Sequence, residues 1–156
     1  MAEISRAVIP CEITVIKDLF QEYAESLNFD LDFQDFREEL ETLPGKYRAP
    51  KGSILVAKEN GETLGCVAVR PLGSEICEMK RLYVKPAHRG KKVGRELALA
   101  IIEEAKKLGY KAMRLDTVVA MKEASALYRA LGFQQIEPYC YNPLPGAMYF
   151  ELKLTA

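Results

Sequence analysis

The sequence predicts an α/β domain: a mixed, mostly antiparallel sheet with helices on both faces, in the order β-α-α-β-β-β-α-β-α-β-β. Three observations carry this expectation. Residues 53–84 contain three successive apolar runs separated by turn residues. Val93, Leu97, Ala100, Ile101, Ala105 and Leu108 recur at helical spacing. Strand-like runs flank that helix, and a strand-helix-strand step is a right-handed parallel crossover.

Taken in order, SRAVI (5–9) reads as a first strand ended by Pro10. Ile13, Ile16, Phe20, Tyr23 and Leu27 mark one face of a helix, with Asn28 as its stop. A second helix fits Phe33–Leu43, with Asp32 as N-cap. LPGKYRAPKG (43–52) reads as an irregular loop. Two strands then flank Asn60-Gly61, a pair that favours a tight hairpin turn. Gly73-Ser74 leads into a third strand, EICEMKRLYV (75–84). After the helix at 93–108, Gly109 supplies a left-handed stop. YKAMRLDTVV (110–119) is a strand, Glu123–Leu131 a short helix, and FQQIEPY and MYFELKL close the sheet.

The length of 156 residues suits one domain, 1–156, with a substantial core. Basic and acidic side chains balance at 22 each, so nothing points to a nucleic-acid-coating surface. Cys11, Cys66, Cys77 and Cys140 are scattered without a CxxC pair and read as reduced thiols. His88 is the only histidine, which leaves no His-rich metal site within the chain. No apolar run reaches the ~20 residues of a membrane span. MAEISRAVIP is too polar for a signal peptide. The expectation is a soluble cytoplasmic protein without membrane or metal.

VKPAHRGKKVGREL (84–97) concentrates Lys85, Arg89, Lys91, Lys92 and Arg95 between a strand and a helix. The first N–H groups of a helix lack intrahelical partners and carry partial positive charge, so they favour phosphates. Gly90 and Gly94 permit close approach to the backbone. The loop reads either as a diphosphate cradle or as a solvated basic turn. Neither GxxxxGK[ST] nor GxGxxG is present, which argues against a P-loop and a Rossmann site.

RLYVKPAHRGKKVGREL resembles motif A of the GNAT (Gcn5-related) N-acetyltransferases, [RQ]-x-x-G-x-[GA] after a strand ending in V-x-P. Arg89, Lys92 and Gly94 fall on its three defined positions, and LYRALGF (127–133) resembles the second signature. The resemblance implies a GNAT-like fold and an enzyme: an acetyl-CoA-dependent N-acetyltransferase acting on a primary amine of a small molecule or peptide, by direct attack in a ternary complex. It implies that Arg89, Gly90, Lys91, Lys92, Val93, Gly94 and Arg95 hold the pyrophosphate. Leu82, Tyr83 and Val84 would run beside the pantetheine arm. Two positions depart from the pattern: Lys92 replaces a usual glycine, and Met121 replaces an asparagine that often contacts the cofactor.

Acetyl transfer needs a base, an oxyanion donor and an acid for the departing thiolate. Tyr128, at the family's tyrosine position, is the expected acid and cofactor contact; the alternative is a core aromatic. By resemblance, the Leu82 N–H is the oxyanion donor, provided the strands at 75–84 and 110–119 splay. Glu78 is the expected base. Strand alternation places it on the face of Leu82 and Val84, about 13 Å away over four residues, so it would work through water. The alternative is a strand-surface glutamate paired with Lys80 or Arg81. Asp116 and Tyr139 are further candidates. His88 reads as a surface histidine, and Glu103-Glu104 with Lys106-Lys107 as a solvated helix face. Cys77 alternates away from Glu78. The acceptor would be read by the N-terminal helices, loop 43–52 and YCYNPLPG (139–146). Glu38, Glu39 and Glu41 read as a wet helix face or as attractants for a cationic amine. A non-catalytic acyl-CoA-binding module on the same fold is the alternative function, and a phosphate-binding protein unrelated to acyl transfer a third. A homodimer fits the family, but no seam is legible.

Overall fold

The computed structural model describes residues 2–27, 35–118 and 121–155. Its strands are β1 (Glu3–Arg6), β2 (Ser53–Glu59), β3 (Glu62–Pro71), β4 (Ile76–Val84), β5 (Ala112–Val118), β6 (Gln134–Ile136) and β7 (Ala147–Lys153). The helices are α1 (Ile13–Ser26), α2 (Phe36–Thr42), α3 (Val93–Lys107) and α4 (Lys122–Ala130). The seven strands form one sheet in the order β1-β2-β3-β4-β5-β7-β6. Only β4–β5 is parallel; every other pairing is antiparallel. The predicted element order therefore holds. The first strand sits earlier than SRAVI, and α2 begins at Phe36. The expected Asn28 stop and Asp32 cap lie outside the described residues.

Strand alternation sorts the core into two layers. Leu55, Ala57, Val67, Val69, Cys77 and Met79 pack with Leu97, Ile101 and Ala105 of α3 on one face. Ile54, Val56, Cys66 and Ala68 pack with Ile16, Leu19 and Phe20 of α1 on the other. At Asn60 and Gly61 both φ angles are positive, 52° and 80°, which the two-residue hairpin requires. Loop 43–52 is more ordered than expected. It holds a 3₁₀ turn, Gly45–Tyr47, that buries Tyr47 against Phe20.

Glu104 departs from the expected wet helix face. It is buried, accepts from Arg6 Nε at 2.5 Å and from Ser53 Oγ at 2.7 Å, and ties α3 to β1 and β2. Its neighbour Glu103 does stay exposed and pairs with Lys106 rather than Lys107.

Candidate active site

The site begins with a gap in the sheet. β4 and β5 pair only from Ile76–Glu78 to Ala112–Arg114, although they run on to Val84 and Val118. The cause lies on the other side of β4. Lys80 is paired with Ala68 and Tyr83 with Cys66, so two residues of β4, Arg81 and Leu82, face one residue of β3. Arg81 has φ +60°. This is a β-bulge, and a bulge bends and twists the strand that carries it. Beyond it, Lys85 N–H bonds Leu64 C=O at 2.8 Å around the facing pair Gly65 and Val84. Antiparallel alternation then turns the N–H and C=O of Leu82 and Val84 into the gap. The resulting cleft is narrow, roughly 70 Å³, and is lined by Lys80, Leu82, Asp116, Met121 and Tyr128, among others.

The bulge also overturns one expectation. Glu78 faces Arg70, and Lys80 faces Ala68, on the α1 side of the sheet. Leu82 and Val84 pack on the α3 side. The extra residue at the bulge reverses the alternation, so Glu78 does not share their face.

At one end of the cleft lies the basic loop. Pro86–His88 forms a 3₁₀ turn, and Arg89 N–H closes on Pro86 C=O at 3.3 Å. From Gly90 to Arg95 no backbone N–H finds a partner among the described residues; Glu96 N–H is the first to bond back, to Lys92 C=O at 3.0 Å. The row of open amides therefore starts at Gly90, one residue later than the motif suggests. Gly90 and Lys92 have φ of +84° and +65°. The left-handed angle at Lys92 costs an L-residue roughly 1–2 kcal/mol, which gives a physical reason for the usual glycine. Arg89 folds back instead of reaching outward: its Nε donates to Val84 C=O at 3.0 Å, and its guanidinium lies 5.6 Å from the Tyr83 ring centre. His88 stands on this side, 3.4 Å from Glu62.

On the α1 side of the sheet sits a carboxylate cluster. Glu78 is 2 % exposed. It accepts from Tyr139 Oη at 2.7 Å and from Arg70 Nε at 2.9 Å. Burial pushes its pKa up, but the charges of Lys80 and Arg70 and the two hydrogen bonds outweigh burial and hold it below the usual value. Asp116 accepts from Asn142 Nδ2 at 3.0 Å and lies 3.8 Å from Lys80 Nζ. Carboxylate oxygens of Glu78 and Asp116 and the Cys140 sulfur lie within 4.8 Å of one another. Lys80 supplies positive charge beside Asp116, and burial pushes the Cys140 thiol up to about 11, so it is neutral near pH 7. Of the two carboxylates, Asp116 lines the cleft and Glu78 stands behind it.

Tyr128 is 7 % exposed and packs edge-on against Phe133, with Phe150 alongside. It is both a core aromatic and a cleft residue. Its hydroxyl makes no hydrogen bond among the described residues, and burial raises its pKa above the usual phenol value.

The structure thus gathers Leu82, Tyr128 and Asp116 around one cleft and keeps Glu78 one contact away. Segment 139–146, expected to form a lip over the acceptor side or to pin the closing strands, is fastened to β4 and β5 instead. Tyr139 and Asn142 lock it to Glu78 and Asp116, and Leu144 lines the cleft. Its polar-aromatic composition was the available signal. Glu39 is not a wet-face carboxylate either: both its oxygens hold Arg81 at 2.9 Å. Met121 places its sulfur 3.7 Å from Thr117 Oγ1 in the cleft wall. Cys77 lies on the α3 side, away from Glu78, as alternation predicts.

A sheet that opens beside a row of free helix-start amides defines an acyltransferase-like scaffold. Residues 14–133 match the acetyltransferase (GNAT) family. The chain is 44% identical over 154 residues to an uncharacterized N-acetyltransferase of Schizosaccharomyces pombe, covering 97% of this chain and 94% of that one. A GNAT-family acetyltransferase from Staphylococcus aureus superposes with a TM-score of 0.81 at 18% identity, over 99% of this chain and 100% of the other. The Salmonella typhimurium protein yncA, solved with its cofactor acetyl-CoA, superposes with a TM-score of 0.72 at 22% identity, over 99% and 94%. The chain belongs to the acetyltransferase (GNAT) family. Among the described residues, no helix is long and apolar enough to cross a membrane.

Proposed function

We propose that this protein transfers an acetyl group from acetyl-CoA to a primary amine of a small molecule or peptide, within a ternary complex. One observation carries the reading: the open amides from Gly90 to Arg95 lie at one end of a splayed-strand cleft whose wall holds Tyr128 and Asp116.

The chain's own groups fit acetyl-CoA. The amides of Gly90–Arg95 bind the diphosphate, and Lys91, Lys92 and Arg95 add charge around it. The edge of β4 at Leu82, Tyr83 and Val84 pairs with the pantetheine amides as with an added strand. Arg89 releases Val84 C=O and turns toward the phosphates.

Asp116 removes a proton from the acceptor ammonium, with Glu78 behind it as the second carboxylate of a relay. Glu78 thereby keeps its part as base, through Asp116 or a water. The neutral amine attacks the thioester carbonyl carbon. Leu82 N–H donates to the oxygen as it gains charge. The carbon–sulfur bond breaks, and Tyr128 gives its proton to the departing thiolate. Burial raises the phenol's pKa, which keeps it protonated near neutral pH and makes it a weaker acid than a free phenol, so the transfer depends on the basicity of the departing thiolate.

Thiol release from acetyl-CoA across a panel of amines tests the reading. Turnover that Asp116→Asn lowers by about 100-fold or more supports it. Acetyl-CoA binding with no turnover on any amine marks the non-catalytic module instead. ATP binding that outcompetes CoA marks an unrelated phosphate binder.

A further inference from the structure

The cleft wall contains a primary amine that the reaction above does not use. Lys80 lines the cleft together with Leu82, Asp116 and Tyr128, and among the described residues of that wall it is the single lysine. Its side chain is 5 % exposed, and its Nζ lies 3.8 Å from Asp116 Oδ1. An ammonium therefore already stands beside the carboxylate that is to take a proton from the acceptor. Burial and the charge of Arg81 push the Lys80 pKa below its usual value, against the pull of Glu78 and Asp116. A desolvated lysine that gives up its proton more readily is an activated nucleophile.

Space points the same way. A cleft of roughly 70 Å³ has room for only a few waters, so little is left for a second amine while Lys80 stays in place. Lys80 and Leu82 are two residues apart on β4, roughly 7 Å of strand. The flexible four-carbon stem of a lysine covers that span. We propose that Lys80 is itself an acetyl acceptor: with acetyl-CoA bound and no other amine in the cleft, the chain acetylates Lys80 Nζ. This rests on the acetyl-transfer reading above and adds a modification site inside the same cleft.

The step balances. Asp116 takes one proton from the ammonium and passes it to water. The freed lone pair of the nitrogen attacks the thioester carbonyl carbon, with Leu82 N–H on the oxygen. As the carbon–sulfur bond breaks, Tyr128 protonates the thiolate. The nitrogen gives up its second proton to water, from which Tyr128 recovers its own. One ammonium and one acetyl-CoA become one amide, one thiol and one proton. The amide is neutral and fills the cleft, so the reaction stops at one acetyl group per chain and removes the positive charge beside Asp116.

The test incubates the purified protein with acetyl-CoA carrying an isotopically labelled acetyl group and no added amine. Peptide mapping before and after is expected to find the label on Lys80, saturating at one group per chain, with the exposed Lys91 and Lys107 unlabelled over the same time. Lys80→Arg is expected to abolish the labelling, and Tyr128→Phe to slow it at least about tenfold. Label that reaches Lys80 no faster than Lys91 and Lys107, or equally fast in Tyr128→Phe, marks uncatalysed acetylation and overturns the inference. An unlabelled Lys80 in protein that releases thiol with added amines overturns it and leaves the acetyltransferase reading standing. Acetyl-CoA that binds by calorimetry without labelling Lys80 or any added amine also overturns it. Failure to bind acetyl-CoA overturns the acetyltransferase reading first, and this inference with it.

Discussion

Arg81 holds Glu39 through two bonds of 2.9 Å, Nε to Oε2 and Nη2 to Oε1, across 42 residues of sequence. Arg81 is also the left-handed residue of the bulge, and its guanidinium lies over the rings of Tyr23 and Phe36. One side chain thus joins the bend in β4 to the helices above it. The opening between β4 and β5 depends on that bend.

Replacing Glu39 by Gln takes the charge away from a guanidinium whose side chain is 1 % exposed. Removing one partner of a buried ion pair costs about 3–5 kcal/mol. Urea unfolding should show a loss of that order with an unchanged m-value. A loss under about 0.5 kcal/mol, the size expected of an exposed pair, would mean the bulge is held by other contacts.

Glu78 carries a pH signature. Its carboxyl is held below the usual value, which is near 4.3 in an unfolded chain. Its contribution to stability is therefore complete above that unfolded value, and it is lost as pH falls through the lower folded one. Urea stability measured from pH 6 down to 3 should fall more steeply in the wild type than in Glu78→Gln. Equal slopes would show that Arg70, Lys80 and Tyr139 do not favour the ionised form.

Tyr128→Phe keeps the packing on Phe133 and Phe150 and removes only the hydroxyl proposed as the proton donor. We expect kcat to fall by about 100-fold or more, with KM for acetyl-CoA within about threefold of the wild type. Because burial raises the phenol's pKa, the wild-type kcat profile should show no decline from Tyr128 ionisation up to about pH 10.

Gly65 faces Val84 where β3 supports the open edge of β4. A Cβ there would sit 2.4 Å from Tyr83 C=O, a backbone atom that cannot turn aside. Gly65→Ala should destabilise by about 1–3 kcal/mol, read as a drop in Tm, and should weaken CoA binding by separating the two strands.

The parts of the fold that local chemistry dictates were legible in the sequence. Asn60-Gly61 announces its turn because both residues tolerate positive φ. The α3 stripe and the layers of β2 and β3 follow from periodicity alone. The bulge at Arg81 was not legible. Arginine is no marker for a left-handed backbone, and the contacts of its side chain, Glu39, Tyr23 and Phe36, are all distant in sequence. Missing that one extra residue reversed the inferred face of Glu78. The same limit applies to Glu104, whose partners lie on β1 and β2. In the cleft, the motif indicated the loop and Tyr128. The preference for Asp116 over Glu78 at the cleft wall appears only once both side chains are placed.

The most direct test of the account is a titration of isotopically labelled protein with CoA, followed through the backbone amide resonances of residues 89–96. The account predicts large shifts for Gly90 through Arg95, and slowed hydrogen exchange at the same amides. Pantetheine without its phosphates should leave them unmoved. Saturating CoA binding that leaves the amides of Gly90–Arg95 unchanged would contradict the claim that these N–H groups hold the diphosphate.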